Sequence, residues 1–194
     1  MTDRIKRIER AVCLIKFRKL PLIAYDKETD AEVYYFPKHK ALYSIELEKT
    51  SADILAKQLI KLFELLNFKT FIFLNAKNNP WISKQTEKRT DSKPLITTIN
   101  YFKSLKINNK FNGGVQIDCE NLNEFLPHFY RITQCDGGFF DYHFTDINQN
   151  IIFYIHYSGK VRVLCLNKKS DTKFLEIIKQ TPFKKIKKTS INIR

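Results

Sequence analysis

The sequence predicts an α+β fold in which antiparallel three-stranded meanders pack against helices. Short alternating apolar runs fall in two groups of three, at about 20–25, 31–37 and 41–48 and again at about 139–145, 150–157 and 160–167. Each group is bracketed by stretches of helical period. A shift of 119 residues also lays 33–59 on 152–178 without a gap, strand on strand and helix on helix, which points to a duplicated helix–βββ–helix unit. Only Tyr35/Tyr154, Lys49/Lys168 and Ser51/Ser170 are identical in that span, so pattern alone carries the repeat.

Ile5, Ile8, Val12 and Ile15 recur at helical spacing after a Thr2 cap, so 3–16 reads as an amphipathic helix with a basic outer face. Three strands follow. Thr50-Ser51-Ala52-Asp53 then has the form of a capping box, and Leu55, Leu59, Leu62, Phe63 and Leu66 carry an apolar stripe to about 67. Phe71-Ile72-Phe73-Leu74 is a buried strand. From 75 to 112 the chain is polar and basic, with one helix around 94–105. Leu122, Phe125, Leu126, Phe129 and Ile132 mark the next helix, with Pro127 inside it, and Asp136-Gly137-Gly138 ends it. After the second group of strands, a helix capped by Ser170 runs through Phe174, Leu175, Ile177 and Ile178. The expected organisation is an N-terminal lobe 1–76, a basic connector 77–112, a C-terminal lobe 113–182 and a basic tail 183–194, with the two lobes able to merge into one domain.

Composition narrows the class. The 194 residues hold 34 Lys+Arg against 20 Asp+Glu, a formal charge of +14, and with 43% hydrophobic residues and only 5 Gly they exclude a disordered or low-complexity chain. Apolar runs such as Phe71 to Leu74 fall far short of the roughly 20 residues of a membrane span. Ala11 to Ile15 is likewise too short for the apolar core of a secretory signal. Cys13, Cys119, Cys135 and Cys165 are scattered with no CxxC, so a reducing cytoplasm is the expected compartment.

The charge is uneven. Residues 1–20 have seven cations against two carboxylates, and 171–194 again seven against two, while 118–146 has six carboxylates against Arg131 alone. A dipolar molecule is expected.

Alternation lets the strand register be argued. If Asp146 pairs with Ile151, Phe140, Tyr142 and Phe144 face Tyr157, Ile155 and Phe153 across an apolar surface. A three-residue loop Tyr157-Ser158-Gly159 then brings Ile155 opposite Val161, with Gly159 at the left-handed position. Asp141, His143, Tyr154, His156, Lys160 and Arg162 consequently project from the other face. In that arrangement His143 and His156 would be an acid–base pair, Asp141 would orient His156, and Lys160 or Arg162 would meet phosphate, a set sufficient for metal-independent ribonucleolysis. The competing reading is a solvated sheet face, or one covered by another element that buries a histidine.

Other signals are weaker. Cys119, His128, Cys135 and His143 match no zinc spacing, so no metal is expected. The glycines form no phosphate loop and no serine lies in a GxSxG elbow, so no cofactor is expected. Trp81, the only tryptophan, is a candidate binding anchor or a plug that pins its loop. Asp136, Asp141 and Tyr154 are candidate contacts to a protein, and Lys184, Lys185, Lys187 and Lys188 candidate contacts to phosphate.

A compact α+β chain of this size without a catalytic signature is similar in type to small bacterial interaction proteins, including toxin-neutralising immunity proteins. The expected function is therefore a noncatalytic, cytoplasmic protein-binding module, most concretely an immunity-type inhibitor whose partner is a toxin domain. A partner that is itself basic would suit only the acidic stretch 118–146. The alternatives are a nonspecific nucleic-acid binder using the two basic ends and, further off, the ribonuclease.

Overall fold

A computed structural model describes residues 5–137, 139 and 141–186, with the backbone alone of Lys185 and Ile186. In chain order the elements are β1 (Ile5–Ile8), α1 (Arg10–Lys16), β2 (Leu22–Asp26), β3 (Ala31–Tyr35), β4 (Ala41–Glu46), α2 (Ala52–Leu65) and β5 (Thr70–Asn75). Then come α3 (Lys84–Glu87), α4 (Lys93–Ser104), β6 (Gly114–Asp118), α5 (Leu122–Cys135), β7 (Tyr142–Asp146), β8 (Ile151–Ile155), β9 (Val161–Cys165), α6 (Lys168–Ile177) and β10 (Lys184–Ile186). The fold is α+β, and every strand pairing is antiparallel.

Eight strands form one sheet in the order β1-β6-β5-β7-β8-β9-β4-β10, and β2 and β3 form a separate hairpin. Strands from 1–76 and 113–182 are therefore interleaved. Alternation assigns the two sheet faces. Phe71, Phe73, Val115, Phe144, Phe153, Val163 and Tyr43 point to the side covered by α2, α4, α5 and α6. Phe73 stacks on Phe144 at 4.5 Å between centroids, and Phe144 on Phe153 at 5.3 Å. Each such ring contributes about 2–3 kcal/mol by leaving water. The opposite side is smaller: Leu42, Ile72, Leu74, Ile152 and Leu164 pack against Cys13, Phe17 and Leu20 from α1 and the turn after it, with Phe36 leaning on their edge.

The C-terminal meander β7-β8-β9 has the register the alternation predicts: His143 pairs with Tyr154, Phe144 with Phe153, and Ile155 with Val161. Gly159 has φ +86°, and a Cβ there would lie 2.7 Å from Thr50 Cγ2, so the turn requires glycine. Phe140 falls outside the described residues.

The first half departs from expectation. Residues 5–8, expected in a helix, are strand β1, because they complete the open edge of β6 in the register Ile5 to Ile117 and Ile8 to Gly114. The shorter helix α1 buries Cys13, with Phe17 buried just after its end, and leaves Ile15 64% exposed. β6 itself arises where no strand is predicted. The first meander does not form: β2 and β3 leave the sheet, and β4 pairs with β9 and β10. The two halves are thus not equivalent, and the repeat is not a structural one. Ser51 caps α2 by accepting from the Ile54 amide at 3.2 Å. The cap of α6 is Asn167 and not Ser170; Ser170 is the third residue of the helix and completes a reciprocal capping box.

Residues 183–186 are not a free tail. Phe183 is buried, and Lys184–Ile186 is an edge strand on β4.

Candidate functional site

The polar sheet face is built by β7, β8 and β9, whose paired positions His143, Tyr154 and Arg162 lie side by side as predicted. Arg162 is exposed and lies over the Tyr154 ring at 5.8 Å, while Tyr154 is half-buried against His143 at 5.3 Å. The hairpin β2–β3 crosses this face. Tyr34 and Phe36 close over His143, leaving it 5% exposed.

Both imidazole nitrogens of His143 are engaged. Nδ1 lies 3.1 Å from the Asp141 carbonyl, which only accepts, so Nδ1 carries the proton and donates. The Tyr34 hydroxyl, 3.1 Å away, donates to Nε2. Burial pushes the pKa of His143 down to about 4, with the Asp141 carbonyl opposing the shift and Arg162 adding to it. The ring is neutral near pH 7 and sealed from solvent. This corrects the acid–base pair.

The rest of that constellation is dispersed. His156 sits at the β8–β9 turn, where its Nδ1 accepts from the Ser158 amide at 3.3 Å and its ring lies 4.0 Å from Tyr157. Ser158, not Asp141, positions it. Lys160 pairs with Glu46 at 3.6 Å. Asp141 is half-buried, and burial raises its carboxyl pKa against the opposing charge of Lys77.

Trp81 is a plug. It is 1% exposed, and its indole N–H donates to the Gly113 carbonyl at 2.8 Å amid Phe102, Phe125 and Tyr142, so it is not a surface anchor. Asp136 and Asp146 are also buried, which breaks up the acidic stretch 118–146 as a surface. Of the tail, Lys184 is exposed and pairs with Glu48 at 3.3 Å, Lys185 is described by its backbone in β10, and Lys187 and Lys188 lie outside the described residues. His128 stacks on Tyr101 and hydrogen-bonds Thr98, and no metal-holding cluster of His, Cys, Asp and Glu occurs among the described residues.

Strands at about 20–25 and 31–37 were legible in the sequence, but not that they stand outside the main sheet as a hairpin. It carries Asp26, Glu28, Asp30 and Glu32 against Lys27 alone, and Tyr25 and Tyr35 are 60% and 49% exposed on it. Tyr25 donates to Asp30 and Tyr35 to Asp26, while Asp26 also accepts from the amides of Glu28 and Thr29, so the rings and the turn are braced by the hairpin's own carboxylates. The hairpin is tied to the end of β5 by the Ile23 amide, which donates to Ala76, and by the Lys77–Glu32 ion pair at 2.9 Å. Beside it lies a cleft of about 740 Å³ between Arg10, Leu14, Tyr25 and Asn79. The Arg10 guanidinium there donates to the carbonyls of Asn75 and Ala76, and burial lowers its pKa.

No helix among the described residues is long and apolar enough to cross a membrane. No protein-family model, curated protein or solved structure matches the chain.

Proposed function

We propose that the protein is a noncatalytic module that binds another protein through the β2–β3 hairpin, most concretely as a toxin-neutralising inhibitor of the immunity type acting in the cytoplasm. The observation that supports this is an acidic, tyrosine-bearing hairpin standing outside the main sheet of a strongly basic molecule. Tyrosines dominate binding energy because they bury much area at little entropic cost, and a braced pair loses less still on docking. Carboxylates around them favour a basic partner and speed its approach. The outer backbone of β3 is paired by no strand among the described residues, so an extended segment of the partner has hydrogen-bonding groups to meet. Free thiols at all four cysteines agree with a reducing compartment.

The test is capture from native lysate of the source cells by the intact protein and by Tyr25→Ala/Tyr35→Ala. A basic protein retained at one-to-one stoichiometry by wild type and lost with the double variant supports the reading. Retention unaffected by the substitutions, or no stoichiometric protein at all, overturns it. Both tyrosines are exposed, so their replacement leaves the fold in place.

A further inference from the structure

The end of the sheet opposite the hairpin gathers cations from segments far apart in sequence. Lys16 ends α1, and Arg18 and Lys19 follow it; Lys38 and Lys40 precede β4; Lys168 and Lys169 open α6 after β9. Lys16, Arg18 and Lys19 belong to the basic stretch 1–20, but Lys38, Lys40, Lys168 and Lys169 belong to neither basic end, so charge counting along the chain does not find this group. Folding assembles it through identifiable bonds. Gln149, in the β7–β8 turn, donates to the Lys16 carbonyl at 3.0 Å and accepts from the Lys19 amide at 3.0 Å. The Asn150 carbonyl accepts from Leu166, and its side chain accepts from Asn167, the cap of α6. The Lys40 amide donates to the Cys165 carbonyl at 2.8 Å.

Among the described residues, none of the seven cations lies within ion-pair distance of a carboxylate. The acids near them are committed elsewhere: Asp146 accepts from the amides of Asn148 and Asn150, and Asp171 accepts from Tyr43. Seven like charges held together without counterions cost the fold stability through self-repulsion, a cost that a polyanion would relieve.

We propose that this end of the sheet binds the sugar–phosphate backbone of single-stranded RNA or DNA without reading its sequence, independently of the protein docking assigned to the hairpin. The strand ends of β7, β8, β9 and β4 are neighbours, so at about 4.8 Å per strand the cations span about 15 Å. Each of the seven cations neutralises at most one phosphate of a strand laid across that span. Six of the seven are lysines, which act as point charges on phosphate and lack the fork that reads guanine. The amide side chains within the cluster, Gln149, Asn150 and Asn167, are spent on holding its loops together and do not reach for base edges. A lipid surface is the poorer match. The exposed aliphatic side chains here are Val12 and Ile15 on α1 and Ile147 in the β7–β8 turn, and α1 has only 7 residues, so no apolar face is broad enough to enter a bilayer.

The experiment measures fluorescence-anisotropy binding of a poly(U) oligomer about 20 nucleotides long as a function of salt. Wild type should give log K falling against log salt with a slope near −5, about 0.7 per neutralised phosphate. Lys38→Gln/Lys40→Gln/Lys168→Gln/Lys169→Gln should flatten that slope by roughly 3 and weaken binding at least about tenfold near 0.1 M salt. The same four positions as Arg should retain binding, which separates lost charge from lost fold. A charge-matched control, Lys57→Gln/Lys61→Gln/Lys84→Gln/Lys88→Gln on the helical side, should keep the wild-type slope. Equal flattening by both Gln sets would mean diffuse attraction by net charge and would overturn the proposal. So would binding to vesicles of three parts phosphatidylcholine to one part phosphatidylglycerol with none to poly(U), or no binding to either. Loss of poly(U) binding leaves the Tyr25/Tyr35 capture unaffected, so the two readings fail separately.

Discussion

At the residue scale, His143 shows how a chemically capable side chain is converted into a structural one. Its neutral ring accepts from Tyr34 and donates to Asp141 under the hairpin, and protonation would add a second donor where a phenol proton already points. Because the folded pKa, about 4, lies below the ordinary 6.5, the unfolded chain takes up the proton first as pH falls. Stability is therefore full above about pH 6.5, declines between about 6.5 and 4, and is flat with respect to this group below that window. The expected contribution is about 3 kcal/mol across it. Urea midpoints measured from pH 7 to pH 4 should fall for wild type and fall distinctly less for His143→Gln. Burial also lowers the pKa of His128 and His156, so a residual slope in the variant is expected. Trp81 makes a second residue-scale prediction. Trp81→Phe leaves the Gly113 carbonyl without its donor and opens space beside Phe102, costing about 2 kcal/mol by denaturant titration. The wild-type indole should show emission blue-shifted from that of an exposed tryptophan and resist iodide quenching.

At the scale of elements, the C-terminal segment is part of the fold. Phe183 closes the main core, so Phe183→Ala should cost about 3 kcal/mol, and ending the chain at Pro182 should cost more because β10 leaves the β4 edge as well. Thermal melting of both against wild type checks this. The basic tail expected from 183 onward begins instead with a core residue, Phe183, whose burial depends on residues contributed by other elements. By contrast β7, β8 and β9 were legible down to register, because alternation, an Asp146 turn and a left-handed Gly159 all agree locally. β1 was misread since Ile5, Ile8, Val12 and Ile15 satisfy the helical period by coincidence; Val12 and Ile15 prove exposed. β6 was missed because Gly114-Val115-Gln116-Ile117-Asp118 has two apolar residues and owes its existence to β1 and β5 on either side. The same holds for the site. Which histidine is buried was settled by Tyr34 and Phe36, over a hundred residues away, and nothing in the apolar run from Val33 to Phe36 says that the Tyr34 side covers β7 while Tyr35 stays exposed.

At the scale of the whole molecule, the described charges separate along an axis other than the one the sequence suggests. The hairpin carboxylates lie by the end of β5 near Lys77, and the seven unpaired cations lie at the far ends of β7 and β9. Six ion pairs occur among the described residues, each with at least one well-exposed partner, so screening them loses little. Screening the repulsion within a +14 surface gains more. Raising NaCl from about 20 mM to about 200 mM should therefore raise the melting temperature. A fall would mean that attraction, not repulsion, dominates the surface.

The position of β4 between β9 and β10 has a consequence for biosynthesis. A ribosome delivers residues 41–46 long before either neighbour exists, and both neighbours arrive only with residues 161–186. Until then the nascent chain carries Ala41-Leu42-Tyr43-Ser44-Ile45 as a bare apolar strand with both edges open to other chains. This part of the sheet can be closed only after residues 161–186 have been made, through pairings more than a hundred residues apart, which makes folding slow and favours chaperone protection during synthesis.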